Sequence, residues 1–464
     1  MEKIKNIFKT SQTKNGSFSV GLVAIVIAII VVANLIVGQL PEKIRNIDIS
    51  SNNLYEITDT SRKLVKNLDH KIKFTVLATK SSTDERITTF ISKYAGLSKK
   101  ISVEWIDPTL HPTALDEYDA EQNTIVVSCP DMDKTTTVAF SDIIVTDQMS
   151  AYYSGTASET SFDGEGQLTS AVNYVTNDTS YNIYRTTGHG EATFSTTVSD
   201  LLSKASYNVN EVNLVMDAAI PDDCDLLLMY APTKDLSDDE AAAVTKYLAA
   251  GGKVMIIMAD AESVDTPNIN AIMKTYGMAP TDGYIADTTR CYQGNYYYIF
   301  PLLSVSDEMA SGISSQMILL INAHGLTDVT PERDTITETP FMTTSSSGYA
   351  VTQDGQTQGT YTLGAVATEK TDDKMARLTV ISSASMIDAQ VTDSFTTLEN
   401  TTLFMNAVTS NFEGASNISI EAKSLTTETN TMQHGGVISL VLIFVVPFVV
   451  LIAGFVVWFR RRKA

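Results

Sequence analysis

The 464-residue chain has few of the residues that usually carry metal and redox chemistry. It contains three cysteines and five histidines, and Cys129, Cys224 and Cys291 are far apart and form no C-x-x-C pair. The histidines are scattered too, without an H-E-x-x-H or H-x-x-x-H pattern. One disulfide could form outside a cell, but no disulfide framework and no zinc site can be argued from this spacing. We therefore predict no structural metal and no cofactor.

The motifs of two common enzyme classes are also missing. Gly252-Lys253 lacks the upstream glycine and the following Ser or Thr of a P-loop, so the chain is not predicted to bind a nucleotide in that way. There is no G-x-S-x-G elbow, and Cys224 precedes an apolar strand instead of standing in a sharp turn. The sequence thus offers no recognisable nucleophile, and we predict that the protein is not an enzyme.

Positive charge is in short supply. Lysine and arginine total 33 against 54 aspartates and glutamates, which gives a formal net charge of −21. An acidic surface repels phosphate groups, so nucleic acid is not an expected partner. A solvated acidic surface accounts for most of this charge without any further function.

Two long apolar runs are the most prominent features that the sequence does have. Val20 to Leu40 and Gly436 to Phe459 carry no charge, and each exceeds the roughly 20 residues that a helix needs to cross a membrane. The first run is longer than a signal-peptide core and lacks a small-residue cleavage site. Four lysines precede the first run, and Arg460-Arg461-Arg462-Lys463 follows the second. Basic flanks stay in the cytoplasm. We predict membrane helices over 19–40 and 436–459, cytoplasmic basic tails over 1–18 and 460–464, and an extracytoplasmic region between the helices.

The predicted extracytoplasmic region is long enough for two or three domains. It would carry a charge of −28, once the +3 of the first tail and the +4 of the last are taken from −21. We predict an N-terminal α/β domain over 41–160, a second α/β domain with insertions over 161–412, and a polar stalk over 413–435.

Alternating helix and strand signals define the predicted N-terminal domain. Thr58 is a suitable N-cap for a helix, and Ser82-Thr83-Asp84-Glu85 reads as a capping box that opens another. Lys71 to Thr79 and Ile101 to Ile106 are predicted strands, and Asp107-Pro108 ends the second of them. Three short strands are predicted between residues 124 and 145.

Buried strands alternate with helices in the predicted second domain. Asp225 to Tyr230 (DLLLMY) and Lys253 to Ala259 (KVMIIMA) are continuous apolar runs, as expected of strands covered on both faces. Ser237 to Glu240 is a capping box, and Gly251-Gly252 ends its helix. This alternation predicts a Rossmann- or flavodoxin-like parallel sheet. The remaining predictions here are helices over 167–175, 193–205 and 394–411, strands over 181–185, 207–212, 318–322, 364–370 and 378–382, and a polar insertion over 343–360.

One loop resembles a binding site. Gly188-His189-Gly190-Glu191 follows a predicted strand and precedes a helix, which is where open α/β sheets bind ligands. The glycines would let backbone amides approach a ligand, while His189 and Glu191 could transfer protons or bind a metal. The alternative is a tight strand-to-helix turn. Tyr296 and Tyr297 could stack on a sugar, and the alternative for them is a role as half-buried strand aromatics.

The order of several short motifs resembles a known family. Leu54-Tyr55-x-Ile57-Thr58, Trp105-Ile106-Asp107-Pro108, the loop at 188–191, and Tyr247-Leu248-x-x-Gly251-Gly252-Lys253 follow one another between the two apolar runs. Two further segments complete the series, Arg45-x-x-Asp48 and Pro221-x-x-Cys224-Asp225-Leu226-Leu227. The sequence is similar in this to the auxiliary subunit of gliding-motility-type ABC transporters, the GldG-like family.

This resemblance implies a non-ATPase subunit in a cell membrane. Such a subunit is expected to work beside a separate ABC ATPase and a multi-span ABC-2-type permease, with its two helices in contact with membrane lipid. The resemblance carries no catalytic residues over to this chain. The alternatives are a stand-alone receptor for a ligand or glycan, which would use the loop at 188–191 and the tyrosines, and an enzyme-like relic.

Overall fold

The computed structural model describes residues 53–147, 157–216, 218–260, 265–306, 309–371, 374–393, 395, 397–413, 415 and 417–425. The predicted membrane helices over 19–40 and 436–459 and both predicted tails lie outside these residues. Within the described part of the chain, no helix is both long and apolar enough to span a bilayer.

The chain divides into two compact units. One comprises Met1–Val145 and Phe162–Ser424, and the other Thr146–Ser161 and Leu425–Ala464. In the second unit the backbone amide of Leu425 donates to the carbonyl of Thr160 over 2.8 Å. The first unit holds nearly all of the described elements.

The first elements of the chain build a small four-stranded sheet. In chain order they are α1 (Asp59–Lys66), β1 (Ile72–Leu77), α2 (Glu85–Ala95), β2 (Ile101–Ile106), α3 (Thr113–Glu117), β3 (Thr124–Cys129), a 3₁₀ turn (Pro130–Met132), β4 (Lys134–Ala139), α4 (Phe140–Ile143), β5 (Ile144–Asp147), β6 (Ser158–Phe162) and α5 (Gly164–Thr176). The strand order is β2-β1-β3-β4, with β1 parallel to β2 and antiparallel to β3. Helix α5 packs against β3 and β4. The predicted domain boundary between residues 160 and 161 stays a prediction.

Local capping explains where the first helices begin. The Thr58 hydroxyl accepts the Ser61 amide at the start of α1, which confirms the predicted N-cap. At α2 the predicted capping box is wrong, because the carboxylate of Asp84 caps the helix by accepting the Arg86 amide over 2.8 Å. The Ser82 hydroxyl donates instead to the Thr79 carbonyl. Asp107 ends β2 as predicted, accepting the Thr79 hydroxyl and the Thr109 amide.

The remaining elements include the strands of a ten-stranded sheet. They are β7 (Tyr181–Thr187), α6 (Thr196–Lys204), β8 (Tyr207–Asn213), β9 (Leu226–Tyr230), α7 (Asp238–Ala249), β10 (Lys253–Ile257), α8 (Pro267–Thr275), β11 (Met278–Thr281), β12 (Tyr284–Asp287), β13 (Cys291–Tyr292), β14 (Asn295–Ile299), β15 (Leu302–Leu303), β16 (Leu320–Ile321), β17 (Gly325–Asp328), β18 (Ile336–Thr343), β19 (Gly348–Thr352), β20 (Gly355–Gly359), β21 (Thr362–Thr371), β22 (Lys374–Ile381), a 3₁₀ turn (Ala384–Met386), α9 (Ala389–Thr392), α10 (Asn400–Thr409) and β23 (Lys423–Ser424).

This sheet is mixed rather than all parallel. Its main path is β11-β17-β21-β22-β10-β9-β7-β8, and β18 pairs with β21 and β15. Strands β22, β10, β9, β7 and β8 run parallel to one another, as the sequence predicts. Strands β11, β17, β18 and β21 pair antiparallel, and so do β21 and β22, so the prediction of a parallel sheet fails for this half.

Both faces of the parallel half are covered by helices. Leu226, Leu228 and Met255 pack with residues of α6 and α10 on one face. The alternate residues Leu227 and Val254 pack with residues of α7 and α8 on the other. Because successive strand side chains point to opposite faces, this double cover explains the unbroken apolar runs.

Two predictions beyond residue 280 need correction. The polar insertion over 343–360 contains an antiparallel hairpin of β19 and β20, whose exposed polar side chains hide the strand signal. The helix predicted over 394–411 begins only at Asn400. The carboxylate of Glu399, just before it, accepts hydrogen bonds from the backbone amides of Ser314, Ser315 and Gln316.

A buried ion-pair cluster fastens the C-terminal segment to the first unit. The Lys204 ammonium lies 2.7 Å from Asp163 Oδ2 and 2.5 Å from Asp200 Oδ2, and it donates to the Ile420 carbonyl. Ile418 and Ile420 are buried. Residues 417–424, in the predicted stalk, therefore pack against the body of the unit.

Candidate functional site

The Gly188–Glu191 loop lies at the carboxyl end of β7, beside the loop that follows β9. The carbonyl of His189 accepts the amides of Thr233 and Lys234, over 3.0 and 2.9 Å. The amide of Ala192 donates to the carbonyl of Tyr230, over 3.0 Å. The loop is therefore pinned by backbone hydrogen bonds to the neighbouring loop of the sheet.

His189 is held between two carboxylates. Its ring Nδ1 lies 3.3 Å from Glu191 Oε1, and its Nε2 lies 3.3 Å from Glu240 Oε2 and 3.2 Å from Glu240 Oε1. The three side chains are only 3 to 5 % exposed. Glu191 also accepts the backbone amide of His189 over 2.7 Å. Each ring nitrogen faces a partner within the protein, so the imidazole has no open position for a substrate.

Glu240 links the loop to helix α7. It belongs to the predicted capping box, which the structure confirms: its side chain accepts the Ser237 amide over 2.6 Å. Burial by itself would raise the pKa of Glu240, but hydrogen bonds from Ser237 and His189 outweigh it and hold that pKa below its usual range. An ionised Glu240 thus caps a helix and anchors a histidine at once.

The glycines of the loop are required by backbone geometry. Gly188 and Gly190 have φ values of +110° and +73°, which L side chains rarely adopt. A Cβ atom on Gly190 would also collide with the hydroxyl of Thr233. The conformation is that of the tight turn, the alternative interpretation of this loop.

A second polar cluster, missed in the sequence, occupies the carboxyl ends of β10 and β22. Asp260 Oδ1 accepts the Ala384 amide over 2.7 Å and the Ser383 hydroxyl over 3.0 Å. Burial raises the pKa of Asp260 to about 6, even though these hydrogen bonds oppose the shift. The sequence signal for this cluster was an aspartate directly after an apolar strand, since such residues gather at the carboxyl edge of a sheet.

Tyr296 and Tyr297 belong to another part of the fold. They lie on β14, in a three-stranded sheet of β13, β14 and β16. Tyr296 is 49 % exposed and Tyr297 is half-buried. The structure therefore brings His189 and Glu191 of the loop together, adds Glu240 on the other side of His189, and places the two tyrosines in a different sheet.

The cysteines and histidines provide no further site within the described ranges. Cys129, Cys224 and Cys291 are free thiols. Burial raises the pKa of Cys224 to about 11, so its thiol stays protonated near neutral pH and is a poor nucleophile. No group of three His, Cys, Asp or Glu residues among the described ones is arranged to hold a metal ion.

The fold and the loop together define an α/β protein whose sheet edge is closed by internal polar contacts. Within this class, residues 180–407 match the family model described as an ABC-type uncharacterized transport system, the auxiliary component. The resemblance to the ABC transporter auxiliary family, GldG-like in type, is confirmed by this match. Residues 51–146 match a domain of unknown function, DUF7088.

Other comparisons add only distant similarities. None of the curated proteins matches the chain. The mmIFT52 N-terminal domain is 16 % identical with a TM-score of 0.38, over 50 % of this chain and 98 % of that one. PurLQS from Thermotoga maritima is 10 % identical with a TM-score of 0.28, over 49 % and 97 %. A putative ThuA-like protein from Parabacteroides merdae is 12 % identical with a TM-score of 0.28, over 51 % and 91 %.

Proposed function

We propose that this chain is the non-ATPase auxiliary subunit of a GldG-like ABC transporter and works beside a separate ATPase and an ABC-2-type permease. The family match over residues 180–407 carries the proposal, since it supports an auxiliary component of an ABC transport system. The missing P-loop agrees with it, because the energy for transport must then come from another chain. In this proposal the apolar runs over 19–40 and 436–459 anchor the chain in the cell membrane, with the region between them outside.

The candidate site supports a role without catalysis. A general base needs a free position within hydrogen-bond reach of its substrate. His189 has carboxylate oxygens at both ring nitrogens, and the Cys224 thiol is buried and protonated. The same contacts disfavour a receptor that binds its ligand through the loop at 188–191, because His189 and Glu191 would have to break internal hydrogen bonds first.

Co-purification tests the proposal directly. Full-length protein would be isolated from membranes in a mild detergent, and the proteins recovered with it identified by mass spectrometry. We expect an ABC ATPase and a multi-span permease in fixed ratio to the chain. Recovery of the chain alone, while an unrelated transporter in the same extract stays intact, would overturn the proposal.

A matched pair of variants tests whether the loop is a turn. In His189→Gln the side chain keeps one hydrogen-bond donor and loses the protonatable ring, while Tyr296→Ala removes an exposed aromatic of the alternative receptor site. We expect the ATPase and the permease to co-purify with both variants whenever the protein is folded. A folded His189→Gln protein without its partners would show that the loop has a direct role in assembly.

A further inference from the structure

One cleft of the first unit is formed by residues distant in sequence. Its volume is about 940 Å³, and its walls are helix α1, the loop at 311–314, the start of α10 and the segment 417–423. Pockets of roughly 300 to 1,000 Å³ are typical of ligand sites in proteins. The cleft shares no lining residue with the loop at 188–191.

Hydrogen bonds fix the walls of this cleft. Glu399 accepts the amides of Ser314 and Ser315 and both of their hydroxyls, so one carboxylate holds the loop at one wall. Asn406 donates to the carbonyls of Met309 and Ser311, each over 2.8 Å. The side-chain oxygen of Asn406 also accepts from the side-chain Nδ2 of Asn417 over 2.9 Å, which ties the facing segment to the same helix. The cleft is therefore formed before any ligand arrives, which lowers the entropic cost of binding.

Several polar side chains in the cleft are left without a partner. Asp59, Lys63 and Asn67 are exposed and Thr402 is half-buried, and none of these four side chains makes a hydrogen bond or ion pair with any residue in the described ranges. They include a carboxylate, an ammonium, an amide and a hydroxyl, so the walls offer both donors and acceptors. This is the reverse of the loop at 188–191, where the side-chain polar atoms are already bonded.

The composition of the walls indicates the class of ligand. None of the described residues that line this cleft is Phe, Tyr or Trp, so they offer a sugar ring no such aromatic face to stack on. Leu64, Ile313 and Ile418 supply apolar surface between the polar groups. Mixed donors and acceptors with small apolar pockets suit an extended peptide, whose main chain alternates N–H and C=O groups and whose side chains alternate in direction.

We propose that this cleft binds an extended peptide, with Asn67 and Thr402 bonding its main chain and the Asp59–Lys63 pair accepting a polar side chain of either charge. This proposal deepens the proposed function by naming the class of ligand that the subunit would bind. It rests on the proposed function only for the idea that the ligand is a substrate of the transporter. The binding itself belongs to this chain and needs no transporter partner.

Affinity selection provides the test. Purified full-length protein in detergent would be mixed with random N-acetylated hexapeptide amides, and the retained peptides identified by mass spectrometry. The most enriched peptide would then be titrated by calorimetry, with chitotetraose as the sugar probe. We expect saturable peptide binding at one site and no heat from the sugar.

Three variants locate the binding. Thr402→Trp fills the cleft from helix α10 and is expected to abolish binding. Asn67→Ala removes one main-chain partner and should weaken binding about tenfold, the effect of one lost hydrogen bond. Thr245→Trp places the same large side chain on an exposed position of helix α7 and should bind as the wild type does.

Each outcome decides the inference. No peptide enriched above the Thr402→Trp background, unchanged affinity in Asn67→Ala, or binding of the sugar alone would overturn it. Circular dichroism shows whether Thr402→Trp is folded, and the milder Asn67→Ala keeps the test valid where Thr402→Trp is not. Absence of peptide binding by the wild-type protein, with the ATPase and permease still co-purified, would refute peptide binding in the cleft alone. Peptide binding by a chain that recovers neither partner would refute the transporter role alone.

Discussion

Removing the buried ammonium of Lys204 should make the stability of the protein strongly pH-dependent. Lys204 and Asp163 are 4 and 3 % exposed at their side chains, and Asp163 Oδ1 has no hydrogen-bond partner among the described residues. Burial raises the pKa of the Asp163 carboxyl to about 6, although Lys204 and Gln167 oppose the shift. Burial would lower the pKa of Lys204, but the two aspartates outweigh it and raise that pKa.

The sign of the pH dependence follows from the direction of the Asp163 shift. The folded-state pKa lies above the unfolded value near 4, so the folded state binds a proton more readily than the unfolded one. Asp163 therefore costs stability as the pH rises from about 4 through about 6, and it costs little below that range. In the variant Lys204→Met the carboxylate loses its cation, so its pKa should rise further and the carboxyl should stay protonated to higher pH.

The size of the effect can be worked out from these values. At pH 8 the pH is about 2 units above the pKa of the wild-type Asp163 carboxyl. A variant in which this carboxyl is still protonated at pH 8 has a pKa at least about 2 units higher, and it lacks the free energy that ionisation provides over those units. At about 1.4 kcal/mol per unit, Lys204→Met should lose about 3 kcal/mol of unfolding free energy at pH 8. At pH 5 both proteins hold the proton, so this part of the loss should nearly vanish.

Denaturant unfolding of the full-length protein in detergent, followed by circular dichroism at pH 5 and pH 8, measures this difference. Lys246→Met, on an exposed position of helix α7, is the matched control and should change stability little at either pH. When Lys204→Met is added to Asp163→Asn, the titrating carboxyl is absent, so the loss that Lys204→Met causes should be the same at pH 5 and pH 8. A loss from Lys204→Met alone that is equal at the two pH values, or one that still depends on pH in the Asp163→Asn background, would refute the reasoning.

Three further results are expected. Gly190→Ala should lower the free energy of unfolding by about 2 kcal/mol or more, because φ is +73° and the new methyl group meets Thr233. Gly359→Ala is the control in the same unfolding assay, and it should have a small effect because a methyl group there meets its neighbours at ordinary contact distances. Burial and the neighbouring Asp328 raise the pKa of Glu338 to about 7, so Glu338→Gln should stabilise the protein clearly more at pH 8 than at pH 5, and an equal shift of the unfolding midpoint at both pH values would contradict this. A thiol reagent at pH 7.5 should label the half-buried Cys291 well before Cys224, because the thiol of Cys224 is buried and protonated. Labelling of Cys224 first would contradict this difference in burial and protonation.

The parallel half of the large sheet was predictable because its signals are local. Strands β9 and β10 are continuous apolar runs, and α7 is marked by a capping box at one end and Gly251-Gly252 at the other. The antiparallel half gives no such signal. Strand β18 reads ITETPFMT, and its place beside β21 depends on pairing between residues 19 to 33 positions apart. Local patterns do not contain that register.

The candidate site shows a different limit. Gly188 and Gly190 were recognisable as turn glycines, and Glu240 was recognisable as a helix cap. The contact between His189 and Glu240 joins residues 51 positions apart, and no local pattern records it. Histidine and glutamate suit a proton-transfer site and an internally bonded turn equally well, since the groups that transfer protons are the same ones that form hydrogen bonds with buried polar atoms.

What separates the two roles is where the polar atoms point once the chain is folded. At the loop the imidazole of His189 and the carboxylates of Glu191 and Glu240 are bonded to one another, so their chemistry contributes to stability. In the cleft beside α1, Asn67 and Thr402 keep their hydrogen-bonding capacity unused, on walls that Glu399 and Asn406 hold in place. A glycine-rich loop attracts attention in a sequence because its glycines are visible, while a cleft assembled from four separate segments leaves no motif. The ordinary serine, threonine and asparagine residues of such a cleft are therefore the better place to look for binding in this protein.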